Sequence, residues 1–270
     1  VEGIDTNMHD KEFVSILPSF AEWWSIYLEI TEHLGIDRRL DEIATALAYE
    51  LVYDIVPPIE SCRAMVMGRE VIVFGAGPNL EMHLMLLEKL ENLKQKILVA
   101  ADGATKALVE LGFVPHIIVS DLDGDINAIS YAVSKGSKLF IHVHGDNIEK
   151  FASFVNELKR FTKSFAVTTQ VEPHYPIINI GGFTDGDRAY ALALAFRASK
   201  VLLAGMDFGT LVGRYSKPWL KSAEKASPRK QAKLLIALKI VSTLACKTRI
   251  PTYTLSDTAP TCVEKVQSSW

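Results

Sequence analysis

Aspartates recur where apolar runs end. Asp102 follows KILVAA, Asp121 and Asp123 follow HIIVS, and Asp146 follows KLFIHVHG; Asp185 and Asp187 follow IINIGGFT, and Asp207 follows KVLLAGM. Carboxylates so placed can hold a hard divalent cation, orient or deprotonate a hydroxyl, or cap the helix that comes next. If the extended backbone persists through SDLDGD, Asp121 and Asp123 project to one side while Leu122 points to the core. Two oxygen donors held together suit Mg²⁺ shared with phosphate oxygens. With Asp102-Gly103 at the end of the preceding run, the expected ligands are Asp102, Asp121 and Asp123. The competing reading is a set of solvated turns, since Asp and Gly are ordinary turn residues.

Other motifs offer further groups. In HVHGDN, His142 and His144 alternate around Val143 and can meet a substrate, orient Asp146 or lie buried. A zinc site lacks the HExxH spacing and a nearby cysteine. GGFTDGDRA opens a helix whose free N–H groups receive an anion or are capped by Thr184 or Asp185. Arg188 sits in the first turn, where the helix dipole disfavours a cation unless acids or a phosphate pair with it. GMDFG contains the letters DFG, but the rest of the protein-kinase signature is missing. GAGPNLEMH follows VIVF as a glycine loop follows a strand, yet Leu80 stands where a dinucleotide fingerprint has its third glycine. Gly75, Gly77 and Asn79 are still expected to contact a nucleotide. Between Gly213 and Lys233 lie Arg214, Lys217, Lys221, Lys225, Arg229, Lys230 and Lys233 against one acid, Glu224, which suits either a solvated helix face or a polyphosphate.

These groups need a scaffold. Short apolar runs (VIVF, KILVAAD, HIIVSDLD, KLFIHVHGD, SFAVTTQ, IINIGGFTD, KVLLAGMDF) alternate with helical stretches from residue 70 onward. Strands so uniformly apolar must be covered by helices on both faces, which predicts an open, mostly parallel, Rossmann-like α/β sheet. Its acids then converge on the carboxyl edge, where such sheets bind ligands. A later helix over about 228–246 opens with Ser227 and Pro228, and YTLSDTAPT suggests one further strand. Residues 1–65 read as a helical N-terminal cap or dimerisation region, closed by Pro57 and Pro58, and 66–270 as the α/β domain.

Composition sets outer limits. A chain of 270 residues, 49% hydrophobic, can bury a large core, and a net charge of -3 gives no global attraction to nucleic acid. There is no apolar run long enough to span a membrane and no signal-peptide pattern at the start. Cys62, Cys246 and Cys262 are far apart, which argues against a thiolate metal site or a disulfide framework and for a reducing, cytoplasmic setting.

The ordered set ADGATKALVELGFVPHIIVSDLDGD, HVHGDN, GGFTDGDRA and AGMDFG resembles the archaeal 6-hydroxymethyl-7,8-dihydropterin pyrophosphokinase family, distantly similar to thiamin pyrophosphokinase. The resemblance covers about 65–250. Thiamin enzymes usually carry GGRxDH late in the domain, and no such stretch occurs here. The resemblance implies an α/β catalytic domain that uses Mg²⁺ and ATP to move diphosphate onto the pterin hydroxymethyl group. It also implies that AMP is released, in a route to archaeal folate-like one-carbon carriers. It matches at Asp102, Gly103, Asp121, Asp123, His144, Asp146, Asp185, Asp187 and Asp207. Asp146 or Asp185 would handle the hydroxyl, with Asp187 and Arg188 completing the catalytic set. Gly103, His144 and Asp207 would contact ATP, and Lys217 and Lys221 would close over its phosphates. The expected partners are pterin, ATP and a second copy of the chain through residues 10–60, with neither nucleic acid nor membrane. The rival readings are a pyrophosphokinase for thiamin or another small alcohol, a dinucleotide-dependent oxidoreductase or methyltransferase with Asp102 as the ribose acid, and a nonenzymatic assembly module.

Overall fold

The computed structural model describes residues 19–90 and 92–266. Two helices open this span, α1 (Phe20–Leu34) and α2 (Arg38–Val52). Ser19 and Glu22 cap α1 reciprocally, and Gly35 ends it in the left-handed conformation. Asp37 caps α2 by accepting from the Arg39 N–H at 3.0 Å. Pro57 and Pro58 mark a break, after which a third helix, α3 (Ile59–Val66), leads to the sheet. Residues 1–18, which carry the start of the expected helical and dimerisation regions, lie outside the described residues.

Strands and helices then alternate: β1 (Glu70–Phe74), α4 (Leu80–Glu88), β2 (Ile97–Ala101), α5 (Ala104–Glu110), β3 (Ile117–Ser120), α6 (Ile126–Ser134), β4 (Lys138–His142) and α7 (Ile148–Leu158). They continue through β5 (Ala166–Thr168), β6 (Ile177–Ile178), α8 (Asp185–Ala195) and β7 (Lys200–Ala204). A small antiparallel pair, β8 (Leu211–Val212) and β9 (Glu224–Lys225), precedes α9 (Pro228–Lys247), β10 (Thr252–Thr254) and β11 (Glu264–Lys265). The large sheet runs β11-β10-β7-β1-β2-β3-β4-β5-β6, and each of its pairings is parallel. Strand order reverses at β1, which lies between β2 and β7, so the crevice outside the β1 and β7 ends is a topological switch point.

Alternate strand residues feed opposite layers. Val71, Val73, Val99 and Val119 pack with α8, while Ile72, Phe74, Leu98 and Ala100 pack with α4 and α5. Helix α8 is buried from Asp187 to Ala195, because the sheet covers one side and α9 the other. The first helices join these layers: Trp23 and Tyr27 enter the α8 core, and Ala44, Ala48 and Val52 pack beside β3, β4 and α7. Each fully buried aliphatic side chain stabilises by roughly 1.5–3 kcal/mol, so this packing fixes where the strand ends stand. Among the described residues, no helix is long and apolar enough to cross a membrane.

One expectation is corrected. Cys246 at the end of α9 and Cys262 before β11 form a disulfide, with Cα atoms 5.2 Å apart. The 16-residue separation hides this pairing, because β10 carries the chain out and the following loop returns it to α9. Cys62 is free and buried. The cysteine pattern therefore no longer supports a reducing setting.

Candidate active site

Asp102, Asp121 and Asp185 each place a carboxylate oxygen within 4.8 Å of the others. Asp102 closes β2 with a left-handed backbone, φ 43°, a region that Asp tolerates better than most residues. Its Oδ1 accepts from the Ser120 hydroxyl at 2.5 Å and from the Gly124 N–H at 3.1 Å. Asp121 follows β3, and Asp185 is the first residue of α8. Burial and the charge of Asp121 push Asp102 up to about 7, and burial with both neighbours holds Asp185 well above the usual carboxylate range. Burial opposes charge on Asp121 too, but His144, Arg188 and the Asp123 N–H outweigh it and hold this carboxyl below the usual range. Three carboxyls that cannot all ionise in one buried place are a set of hard donors suited to a divalent cation.

Asp123 does not join them. Leu122 takes φ 68° and buries its side chain, so the extended alternation expected through SDLDGD breaks and the two acids diverge. Asp123 bonds Lys217 and lies 3.6 Å from Lys150. Asp185, expected to handle the hydroxyl, occupies the third place instead.

The cluster opens into a cavity of about 300 Å³, which Gly75, Gly77, Gly103, Asp123 and Asp207 line together with Lys217, Arg229, Lys230 and Lys233. It lies at the crevice where strand order reverses. Burial tends to discharge Lys217, yet its bond to Asp123 raises its pKa; burial and then the charge of Lys230 lower that of Lys233. Arg229, Lys230 and Lys233 belong to the basic stretch of the sequence, but only the first turns of α9 show which cations face inward. Lys221 is exposed and outside the lining, and Arg214 pairs with Glu81 at 3.1 Å.

The glycine loop has a structural use. The Gly75 and Gly77 N–H groups donate to the Ala204 and Gly205 carbonyls at 2.9 and 2.8 Å, so they are not free for a phosphate as expected. A Cβ on Gly77 would stand 2.5 Å from Asp207 Oδ2, and one on Gly103 would stand 1.8 Å from the Tyr215 carbonyl oxygen. Gly103 lets the loop before Lys217 close on the sheet edge, and Gly77 leaves room for Asp207 at the end of β7. Asp207 accepts from the Asn79 N–H at 2.9 Å and its side-chain amide at 3.2 Å, which ties the β7 end to the start of α4.

The remaining expected residues separate. Asp187 accepts from Phe183 N–H, Thr184 N–H and the Thr184 hydroxyl at 2.8, 2.6 and 2.5 Å, so its oxygens cap α8 rather than face the cavity. Asp146 is exposed and outside the lining. His144 Nε2 lies 3.9 Å from Asp121 Oδ2, while its Nδ1 accepts from the Asp146 N–H at 3.2 Å. His142 is buried, shares a 3.0 Å hydrogen bond with Thr168, and is held well below the usual histidine range by burial and then Arg188. Arg188 is buried with Nη1 3.2 Å from Asp185 Oδ1, which resolves the conflict of a cation at a helix start. With Asp102 gathered among carboxylates, the ribose-acid role expected of a dinucleotide fold finds no support.

Fold and site together define a doubly wound α/β protein whose strand-end carboxylates share the switch-point crevice with a set of cations. Residues 45–213 match the model of a family described as 6-hydroxymethylpterin diphosphokinase MptE-like, and the chain belongs to that family. It is 42% identical over 203 residues to the 6-hydroxymethyl-7,8-dihydropterin pyrophosphokinase of Methanocaldococcus jannaschii, covering 74% of this chain and 84% of that one. The Pyrococcus furiosus protein of the same name is 38% identical over 229 residues, covering 83% of this chain and 94% of its own. Among solved structures, MAf glycosyltransferase from Magnetospirillum magneticum overlays with a TM-score of 0.48 at 12% identity, over 74% of this chain and 35% of that one.

Proposed function

We propose that the chain transfers diphosphate from ATP to the hydroxymethyl group of 6-hydroxymethyl-7,8-dihydropterin and releases AMP. The observation that carries this reading is the carboxylate cluster sharing one cavity with lysines and an arginine, in a chain of this family. The hydroxyl oxygen forms a bond to the β-phosphorus, the bond from that phosphorus to the oxygen bridging it to the α-phosphorus breaks, and the hydroxyl proton is lost. Such a reaction depends on alignment and charge neutralisation more than on a protein nucleophile.

Asp102, Asp121 and Asp185 would hold Mg²⁺, their shared buried charge being the feature that fits a divalent ion. Bound there, Mg²⁺ supplies charge neutralisation for phosphate oxygens. Lys217, Arg229, Lys230 and Lys233 bind the polyphosphate in the same cavity, as point charges and, for Arg229, as a fork. Arg188 orients Asp185. The loop that Gly103 allows to close on the sheet edge excludes water that would otherwise hydrolyse ATP. Product analysis with Mg²⁺, ATP and the reduced hydroxymethylpterin tests the reading. AMP and a diphosphorylated pterin are expected; ADP with a monophosphorylated product, or transfer to thiamin in preference, would overturn it.

A further inference from the structure

Tyr27 on α1 and Asp41 on α2 precede the segment that matches the family model, yet both are buried behind the carboxylate cluster. Asp41 Oδ2 accepts from the Tyr27 hydroxyl and from Gln170 Nε2, each at 2.6 Å, and its Oδ1 accepts from the Gly145 N–H at 2.8 Å. The Trp23 indole N–H donates to the Gln170 carbonyl at 2.8 Å and fixes the backbone there. Gln170 then turns Oε1 toward Arg188, whose Nη2 lies 3.4 Å away in a long hydrogen bond. The other end of that guanidinium holds Asp185. Arg188 Nε has no hydrogen-bond partner among the described residues, so Gln170 and Asp185 are what orient the head.

The chemistry of this chain of bonds has a direction. Asp41 accepts through both oxygens, from the Tyr27 hydroxyl and Gln170 Nε2 on one and from the Gly145 N–H on the other, so it requires the NH₂ end of Gln170 and thereby sends the oxygen end to Arg188. An amide at position 41 removes that requirement. Gln170 can then present NH₂ to the guanidinium, donor against donor, and Arg188 loses the partner opposite Asp185. We propose that Asp41 and Gln170 are positioning residues: through the Gln170 amide, the N-terminal helices set Arg188 and so the orientation of Asp185 in the cation-holding cluster. This rests on the cluster being the cation site.

The test uses the full chain and Mn²⁺ as a spectroscopic substitute for Mg²⁺, with binding titrated by electron paramagnetic resonance and folding checked by circular dichroism. Outer hydrogen-bond partners of metal-binding carboxylates typically change affinity about 10–100-fold, so Asp41→Asn and Gln170→Met should each raise the Mn²⁺ dissociation constant about tenfold. The double change Asp41→Asn with Gln170→Glu restores an acceptor toward Arg188 while the new Asn donates to the new Glu, and should return the affinity to within about twofold of the parent. Parent-like affinity in the folded single variants, or a double variant no better than Asp41→Asn, would overturn the proposal; if Asp41→Asn does not fold, Gln170→Met decides. Asp121→Asn distinguishes loss of the cation site from loss of the positioning role. Should it leave Mn²⁺ binding intact, the cluster is not the cation site and the proposal falls with it; should it weaken binding while Gln170→Met does not, only the positioning role is lost.

Discussion

Asp102, Asp121 and Asp185 stand at the ends of elements buried on every side, whereas Lys217, Arg229, Lys230 and Lys233 reach the same cavity from a loop and the first turns of one helix. The acids sit on short side chains, fixed by the Ser120 hydroxyl, the Gly124 N–H and the Arg188 guanidinium. The cations sit on long side chains with many rotamers. On this account the acidic wall sets where the reacting phosphorus lies, and the basic wall follows the phosphates. Replacing an acid should therefore abolish the chemistry, while replacing a single cation should weaken binding.

The largest effect is expected at the acids. Asp121→Asn or Asp185→Asn should lower the transfer rate by at least about 100-fold, the scale seen when one preorganised electrostatic group is removed, with circular dichroism unchanged. Steady-state rates check this, and a variant within about twofold of the parent would remove that acid from the site. Next comes Lys217→Ala, which deletes a cation bonded to Asp123; it should raise KM for ATP roughly tenfold with a smaller change in kcat. Lys221→Ala is the matched control, since this residue is exposed and outside the lining, and its KM should stay at the parent value.

A pH experiment sharpens the contrast further. The Asp102 carboxyl is raised from 3.8 to about 7 in the folded chain, and Asp185 is raised as well. A raised acid contributes stability that is complete below its ordinary pKa and disappears as pH climbs through the folded value. Without a divalent ion, this contribution is lost between about pH 4 and about pH 7. Buried His142, whose pKa is lowered, acts in the opposite sense, losing stability as pH falls below its ordinary value. The readout is thus the difference between parent and Asp102→Asn: the parent's Tm should fall relative to the variant's as pH rises from 5 to 8. Saturating Mg²⁺ should raise the parent's Tm more at pH 8 than at pH 5. Equal Mg²⁺ shifts at both values would contradict a cation among these carboxyls. The smallest effect on chemistry is expected from Asp187→Ala, which removes three capping bonds of α8. Denaturant melts should show a loss of about 2 kcal/mol, with the activity of the remaining folded protein close to that of the parent.

The same contrast explains what the sequence reveals. The strands from VIVF to KVLLAGMDF appear as expected, because apolar runs covered on both faces leave little freedom, and acids at their ends must meet at one edge. Ser227 caps α9 as its position before Pro228 suggests. Which acids meet depends on backbone angles that letters do not carry. Leu122 at φ 68° turns Asp123 away, and Asp187 looks like Asp185 until its capping bonds are seen. The basic rim is visible as a composition bias, but the inward-facing members emerge only once α9 is placed over the crevice. Arg188 is half legible: its unfavourable place at a helix start signals a partner, and the partner that completes it, Gln170, lies 18 residues away with no motif around it. The disulfide and the link from Asp41 to Gln170 belong to the same class, contacts made by tertiary packing between segments that share no local pattern.

The central claim is that three carboxyls from three different elements hold one divalent ion against the polyphosphate. Crystals grown with Mn²⁺ and a nonhydrolysable ATP analogue, measured at the manganese absorption edge, test it most directly. The account predicts an anomalous peak coordinated by Asp102, Asp121 and Asp185, with the analogue's phosphates between it and Lys217. A peak held by other residues, or phosphates bound with no ion at these three carboxyls, would contradict it.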